Sequence, residues 1–163
     1  MSEAYIALGS NLQNPVLQVN TALAALERIP NSRLIKQSSL YQTAPIDCDH
    51  DPDQPVPDFI NAVALLETNL TPMALLQALF DIENTAGRQR PYINAPRVMD
   101  CDLLLYDNLC INTSTLTLPH PRMHKRGFVL LPLFEIAAHL SLPNHGKIAE
   151  LLNTHQFTDI KKL

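Results

Sequence analysis

The chain has 163 residues, of which 46% are hydrophobic and 17% charged, with a formal net charge of −4. That length holds one domain with a real core, and the composition is globular rather than disordered. The acidic balance excludes a general attraction to nucleic acid or an anionic membrane, and no apolar run approaches the roughly 20 residues that span a bilayer. Ala4-Tyr5-Ile6-Ala7-Leu8-Gly9 is a short apolar run with a glycine stop and reads as a buried strand. Asn14-Pro15 supplies an N-cap followed by proline at the first helical position. Val16, Val19, Leu23 and Leu26 then recur at helical spacing, which predicts a helix to about Ile29, ended by Pro30. Arg33 to Tyr41 reads as a second strand, and the apolar run Phe59 to Leu66 as a third, central one. Thr71-Pro72 repeats the cap signal before a second helix on Leu75, Leu76, Leu79 and Ile82, which Gly87 is expected to stop. Asp100 to Tyr106 is the fourth strand. A Pro-His-Pro turn, a short helix from about Val129 to His139 and one weaker helical segment complete the chain.

That order predicts an α+β fold of the ferredoxin-like type, a βαββαβ sandwich with one mainly antiparallel sheet, two helices across one face and a C-terminal helical extension. Residues 1–163 are expected to form a single domain. Cys48, Cys101 and Cys110 form no C-x-x-C pair, and their odd number argues against a disulfide framework. The N-terminus lacks a basic region followed by an apolar stretch, so the expected compartment is the cytoplasm.

The loop from Asp47 to Asp58 places acids at alternate positions, as a calcium loop does. Such a loop needs glycine at its sixth place and a glutamate at its twelfth, where Pro52 and Asp58 stand. It reads instead as a proline-stiffened, solvated lid. Asp100-Cys101-Asp102 differs, because side chains two apart on a strand project from the same face. Two carboxylates there offer the hard oxygen ligands magnesium prefers, with phosphate oxygens and water completing its shell.

Five of the seven arginines, Arg88, Arg90, Arg97, Arg122 and Arg126, fall in the neighbouring stretch. Guanidinium forks match phosphate oxygens and stay charged at any working pH. Arginines beside metal-binding acids are what phosphoryl-type transfer needs, since there the protein mainly positions groups and neutralises charge. His120 and His124 have the H-x-x-x-H spacing of a helical zinc pair, but Pro121 stands where the zinc motif has glutamate. With cations interleaved, phosphate and nucleobase contacts suit this segment better. No Gly-rich phosphate loop of either common type is present.

Taken together, Ala4 to Leu12, Phe59-Ile60-Asn61-Ala62, Gly87-Arg88-Gln89-Arg90, Ala95-Pro96-Arg97-Val98-Met99-Asp100-Cys101-Asp102-Leu103-Leu104 and Pro119 to Phe128 resemble the 6-hydroxymethyl-7,8-dihydropterin pyrophosphokinase family, in order and as far as about Pro143. The resemblance implies transfer of diphosphate from ATP to a pterin hydroxymethyl group, with release of AMP, in folate biosynthesis. By that likeness Asp100 and Asp102 hold two magnesium ions. Arg88 and Arg97 clamp phosphates, and Arg90 sits on a mobile loop. Glu83, Leu103, Thr117, His120 and Arg126 line the nucleotide site. Phe59 and Phe128 sandwich the pterin, while Asn61, Thr43 and Pro45 bond its edges. The family's loop tryptophan is absent, with Ile93-Asn94 in its place and Tyr92 nearby, and the acidic loop is longer than usual. The expected partners are small molecules only, with no nucleic acid and no membrane, and the expected state is a monomer.

Two rival readings differ in class. A regulatory binding module would not need Asp100 and Asp102 together with three arginines. An RNA platform wants exposed aromatics in a basic field, whereas this chain is acidic and 6% aromatic.

Overall fold

A computed structural model describes residues 1–12, 14–44, 58–86, 98–153 and 159–163. Gly87, the arginines Arg88, Arg90 and Arg97, Pro45 and the acids from Asp47 to Asp53 lie outside the described residues, as do Tyr92, Ile93 and Asn94.

Strand β1 (Ser2–Ser10) is central in an antiparallel sheet. It pairs on one side with β4 (Phe59–Thr68) and on the other with β5 (Asp100–Tyr106). Beyond β4 come β2 (Ser32–Gln37) and β3 (Tyr41–Thr43), each paired with a different part of it. Between the strands run α1 (Pro15–Leu26) and α2 (Pro72–Ala86), and both helix starts obey the cap logic. Asn14 accepts from the Leu17 amide, and Thr71 accepts from the Ala74 amide at 3.2 Å, each just before a proline. Helix α1 stops three residues before the expected Ile29, in tighter turns that Arg28 and Ile29 make back to Ala25 and Leu26.

The alternation along each strand separates two cores. Ala4, Ile6, Leu8, Ile60, Ala64 and Leu66 face α1 and α2. Tyr5, Val63 and Leu65 face the opposite way, toward α3 (Gly127–Ile136) and the short α4 (Ile148–Asn153). Leu104 is an extra residue in β5 opposite the Tyr5–Ile6 step, a bulge that lets Leu104 and Leu105 both reach the α3 core.

The expected second strand is two strands. Ser38 explains the break: its backbone bonds Val63 in one direction, its hydroxyl oxygen accepts from the Val63 amide at 2.9 Å, and Ser39 turns away toward Glu135. Helix α3 begins at Gly127 rather than Val129 and ends at Ile136 rather than His139. Two small hairpins, β6 (Ile111–Asn112) with β7 (Thr117–Leu118) and β8 (Ser141–Leu142) with β9 (Gly146–Lys147), carry no periodic signal. The weak helical segment in the tail is α4. After it, β10 (Ile160–Lys162) adds to the sheet beyond β3, where no strand was expected.

Glu135 of α3 ties this corner together. Its carboxylate accepts from the Ser39 amide and hydroxyl and from the Tyr41 hydroxyl, the last at 2.7 Å, with Lys162 at 3.9 Å. Burial alone would raise its pKa, but the bonds from Tyr41 and Ser39 and the Lys162 charge outweigh that and hold it below the ordinary 4.5. A lowered carboxyl pKa contributes stability that is present above the ordinary value and is lost as pH falls through the lowered one. Glu135→Gln is therefore expected to flatten the acid limb of the melting temperature against pH. Thermal unfolding scans below pH 4.5 check this, and an unchanged slope would remove Glu135 as the cause.

Candidate active site

The face of the sheet toward α3 is not fully covered. Beside the N-terminal end of α3 an open cavity of about 760 Å³, solvent at its mouth included, lies over four neighbouring strands. From β5 come Asp100 and Asp102, which alternate with the buried Cys101 and so share the cavity side. From β4 come Phe59 and Asn61, and from β3 comes Thr43. Arg126 and Phe128 close the wall from the entry to α3. Seven of the residues singled out from sequence thus meet in one space, although they are spread from the first half of the chain to the last quarter.

The polar groups here are held. Asn61 is 6% exposed and donates from Nδ2 to Thr43 Oγ1 at 2.9 Å. Both rings are half-buried. The Arg126 guanidinium lies 5.5 Å from the centre of the Phe128 ring, a cation–π contact. Arg126, expected in the nucleotide set, lines the same cavity as Phe59 and Asn61. The entry to β5 is fixed by the Ser10 hydroxyl, which donates to the Val98 carbonyl.

Among the described residues, the other nucleotide candidates do not line this cavity. Leu103 is buried on the opposite face in the α1–α2 core. Glu83, on α2, is buried too, and its charge is felt at Cys101 on that same face. Thr117 and His120 lie along the outer edge of β5, where the His120 amide donates to the Leu104 carbonyl at 2.9 Å. Burial pushes the His120 imidazole below the ordinary histidine range; Arg126 and Arg122 add to this, and the nearby Asp102 charge opposes it. Burial, and then the charges of Glu83, Asp102 and Asp100, push the Cys101 thiol up. Pro45, Arg88, Arg90 and Arg97 fall outside the described residues. Ala7, Leu8, Gly9, Ala62 and Val129 also line the cavity and had no assigned role. Gly9 ended an apolar run and so was legible only as a stop.

The donor set offered by Asp100 and Asp102 is hard oxygen from two half-exposed carboxylates on a rigid strand, at a cavity wide enough for a substrate. That suits magnesium, which takes one or two carboxylates and leaves the rest of its shell to phosphate and water.

A family profile described as 7,8-dihydro-6-hydroxymethylpterin-pyrophosphokinase matches residues 5–138. A Haemophilus influenzae protein named 2-amino-4-hydroxy-6-hydroxymethyldihydropteridine pyrophosphokinase is 47% identical over all of this chain and 98% of its own length. A Pseudomonas aeruginosa protein of the same name is 42% identical, again over all of this chain and 98% of its own. A crystal structure described as HPPK-DHPS in complex with substrates superposes with a TM-score of 0.78 at 14% identity, covering 99% of this chain and 46% of that longer one. The family profile and the two relatives define an enzyme of the pyrophosphokinase class. The chain belongs to the 7,8-dihydro-6-hydroxymethylpterin-pyrophosphokinase family.

Proposed function

We propose that this enzyme transfers the β,γ-diphosphate of ATP to the hydroxymethyl oxygen of 6-hydroxymethyl-7,8-dihydropterin, in folate biosynthesis. The observation that carries this reading is one cavity with carboxylates on its β5 wall and two aromatic rings with a carboxamide on the others. A flat heterocycle with polar edges needs aromatic faces and an amide that both donates and accepts. Phe59 and Phe128 would hold the pterin ring, with Asn61, Thr43 and Pro45 at its edges. ATP would approach across the outer edge of β5, past Thr117 and His120, and place its phosphates between Arg126 and the carboxylates, with the buried Leu103 and Glu83 on the far side of that strand and not in contact with the nucleotide. Arg88, Arg90 and Arg97 would add guanidinium contacts to the phosphates.

Asp100 and Asp102 would hold magnesium, two ions by family likeness. Bound there, it would neutralise phosphate charge and lower the pKa of the attacking alcohol. The chain's own residues do the positioning. The rings orient the pterin so that its hydroxymethyl group faces the carboxylate wall, and Arg126 steadies the phosphates against Phe128. The hydroxymethyl oxygen forms a bond to the β-phosphorus as the bond from that phosphorus to the α–β bridging oxygen breaks. AMP leaves with that oxygen, and the alcohol proton passes to solvent or a carboxylate. No separate general base is needed with so good a leaving group.

The strand order β5-β1-β4 with β3 beyond supports the ferredoxin-like arrangement, with α3, α4 and β10 as an extension after it. We read the chain as one domain acting as a cytoplasmic monomer on small molecules; no helix among the described residues is long and apolar enough to cross a membrane. Incubation with magnesium-ATP and the pterin alcohol, with nucleotides resolved by chromatography, tests the reaction. Pterin-dependent AMP is expected. ADP would mean attack at the γ-phosphorus and a different enzyme, and no nucleotide product would favour a binding module.

A further inference from the structure

Gly9 stands at the centre of the cavity floor, paired with Asn61 on one side and Asp100 on the other. Its backbone is not in the left-handed region, so no turn requires glycine there. What requires it is space. A methyl group at Gly9 would sit 2.8 Å from Asn61 Oδ1, closer than side-chain carbons approach other atoms, and 3.8 Å from the Ile60 carbonyl oxygen. The Asn61 carboxamide is therefore stretched across three strands. Its nitrogen is anchored on β3 through Thr43 Oγ1 at 2.9 Å, and its oxygen lies over the bare Cα of β1. Among the described residues nothing else bonds this amide, so in that pose one N–H and the carbonyl lone pairs are open to a ligand in the cavity.

We infer that Gly9 is a positioning residue that sets the tilt of the Asn61 amide and so selects a heterocycle presenting a donor and an acceptor side by side. This rests on the pterin reading above. An alanine at position 9 suits the strand backbone at least as well as glycine. The damage should then fall on Asn61 alone. To clear the new methyl its oxygen has to move, and the amide that bonds Thr43 turns with it.

Equilibrium binding of 6-hydroxymethyl-7,8-dihydropterin and of ATP to the full chain, with kcat and KM beside them, tests this. Gly9→Ala should weaken pterin binding and raise the pterin KM roughly 10- to 100-fold, the worth of a buried hydrogen bond. ATP affinity and the melting temperature should stay near wild type. Asn61→Ala should weaken pterin binding similarly, and Gly9→Ala with Asn61→Ala should be no worse than Asn61→Ala alone, because the methyl then has nothing to push. If Gly9→Ala fails to fold, recovery of a cooperative melt in the double variant would identify Asn61 as the atom it met, and failure of both would overturn the inference. Wild-type pterin binding in Gly9→Ala, or losses that simply add, would also overturn it while leaving the function standing. If wild type itself binds no pterin, the functional reading falls and this inference with it.

Discussion

Asp100→Ala is expected to lower AMP formation at saturating substrates about 10³-fold, an effect of roughly 4 kcal/mol on the barrier. The magnitude follows from what the two carboxylates face. On the proposed reading, diphosphate transfer would concentrate negative charge where β5 meets the cavity, and removing one carboxylate would take away one of the two proposed magnesium ligands there. Asp100 is half-exposed at the start of its strand, so its loss should cost little stability and the fall should appear in kcat. Asp102→Ala should behave alike. A loss confined to KM, or one cured by saturating magnesium without change in kcat, would place the charge compensation elsewhere.

Phe128→Ala is the second large effect, and it should fall on the pterin. The ring contributes apolar area and a stacking face, together about 2–3 kcal/mol, or roughly 30- to 150-fold in kcat/KM for the pterin. It also carries Arg126, whose guanidinium rests 5.5 Å from its centre. Without that platform the arginine loses its fixed position, so a smaller rise in the ATP KM should accompany the pterin effect. Phe128→Tyr should restore most of both. If alanine raises only the ATP KM, the ring serves the arginine and not the pterin.

The elements that were legible from sequence are those whose stability is written locally. β5 was placed residue for residue because Asp100 to Tyr106 is bounded by turn signals and rich in leucine, and α2 because Thr71-Pro72 and four apolar positions agree. The break between β2 and β3 was not legible, since it depends on Ser38 bonding Val63 and on Glu135 drawing Ser39 away. β10 was missed for a similar reason: Ile160-Lys161-Lys162 has little strand signal and is ordered by pairing with Tyr41–Thr43. In the site, acids two apart on a strand were readable from the period of two, and the cavity gathers them with both rings and Asn61. Gly9 was not, because its need is for empty space above its Cα, and only the neighbouring strand supplies the atom that fills it.

The outer strands of the sheet bear on how this protein behaves among copies of itself. An exposed strand edge is a row of unpaired amides and carbonyls on which another chain can add. Here β10 is three residues long and ends in Lys161 and Lys162, while β2 carries Arg33 and Lys36 around a bulge at Ile35. Short, cationic and kinked edges repel and misalign an incoming strand. The β2 and β10 side of the sheet is thereby kept from recruiting strands from outside. Lys162 thus has two uses, a charge beside Glu135 and a deterrent on an open strand edge.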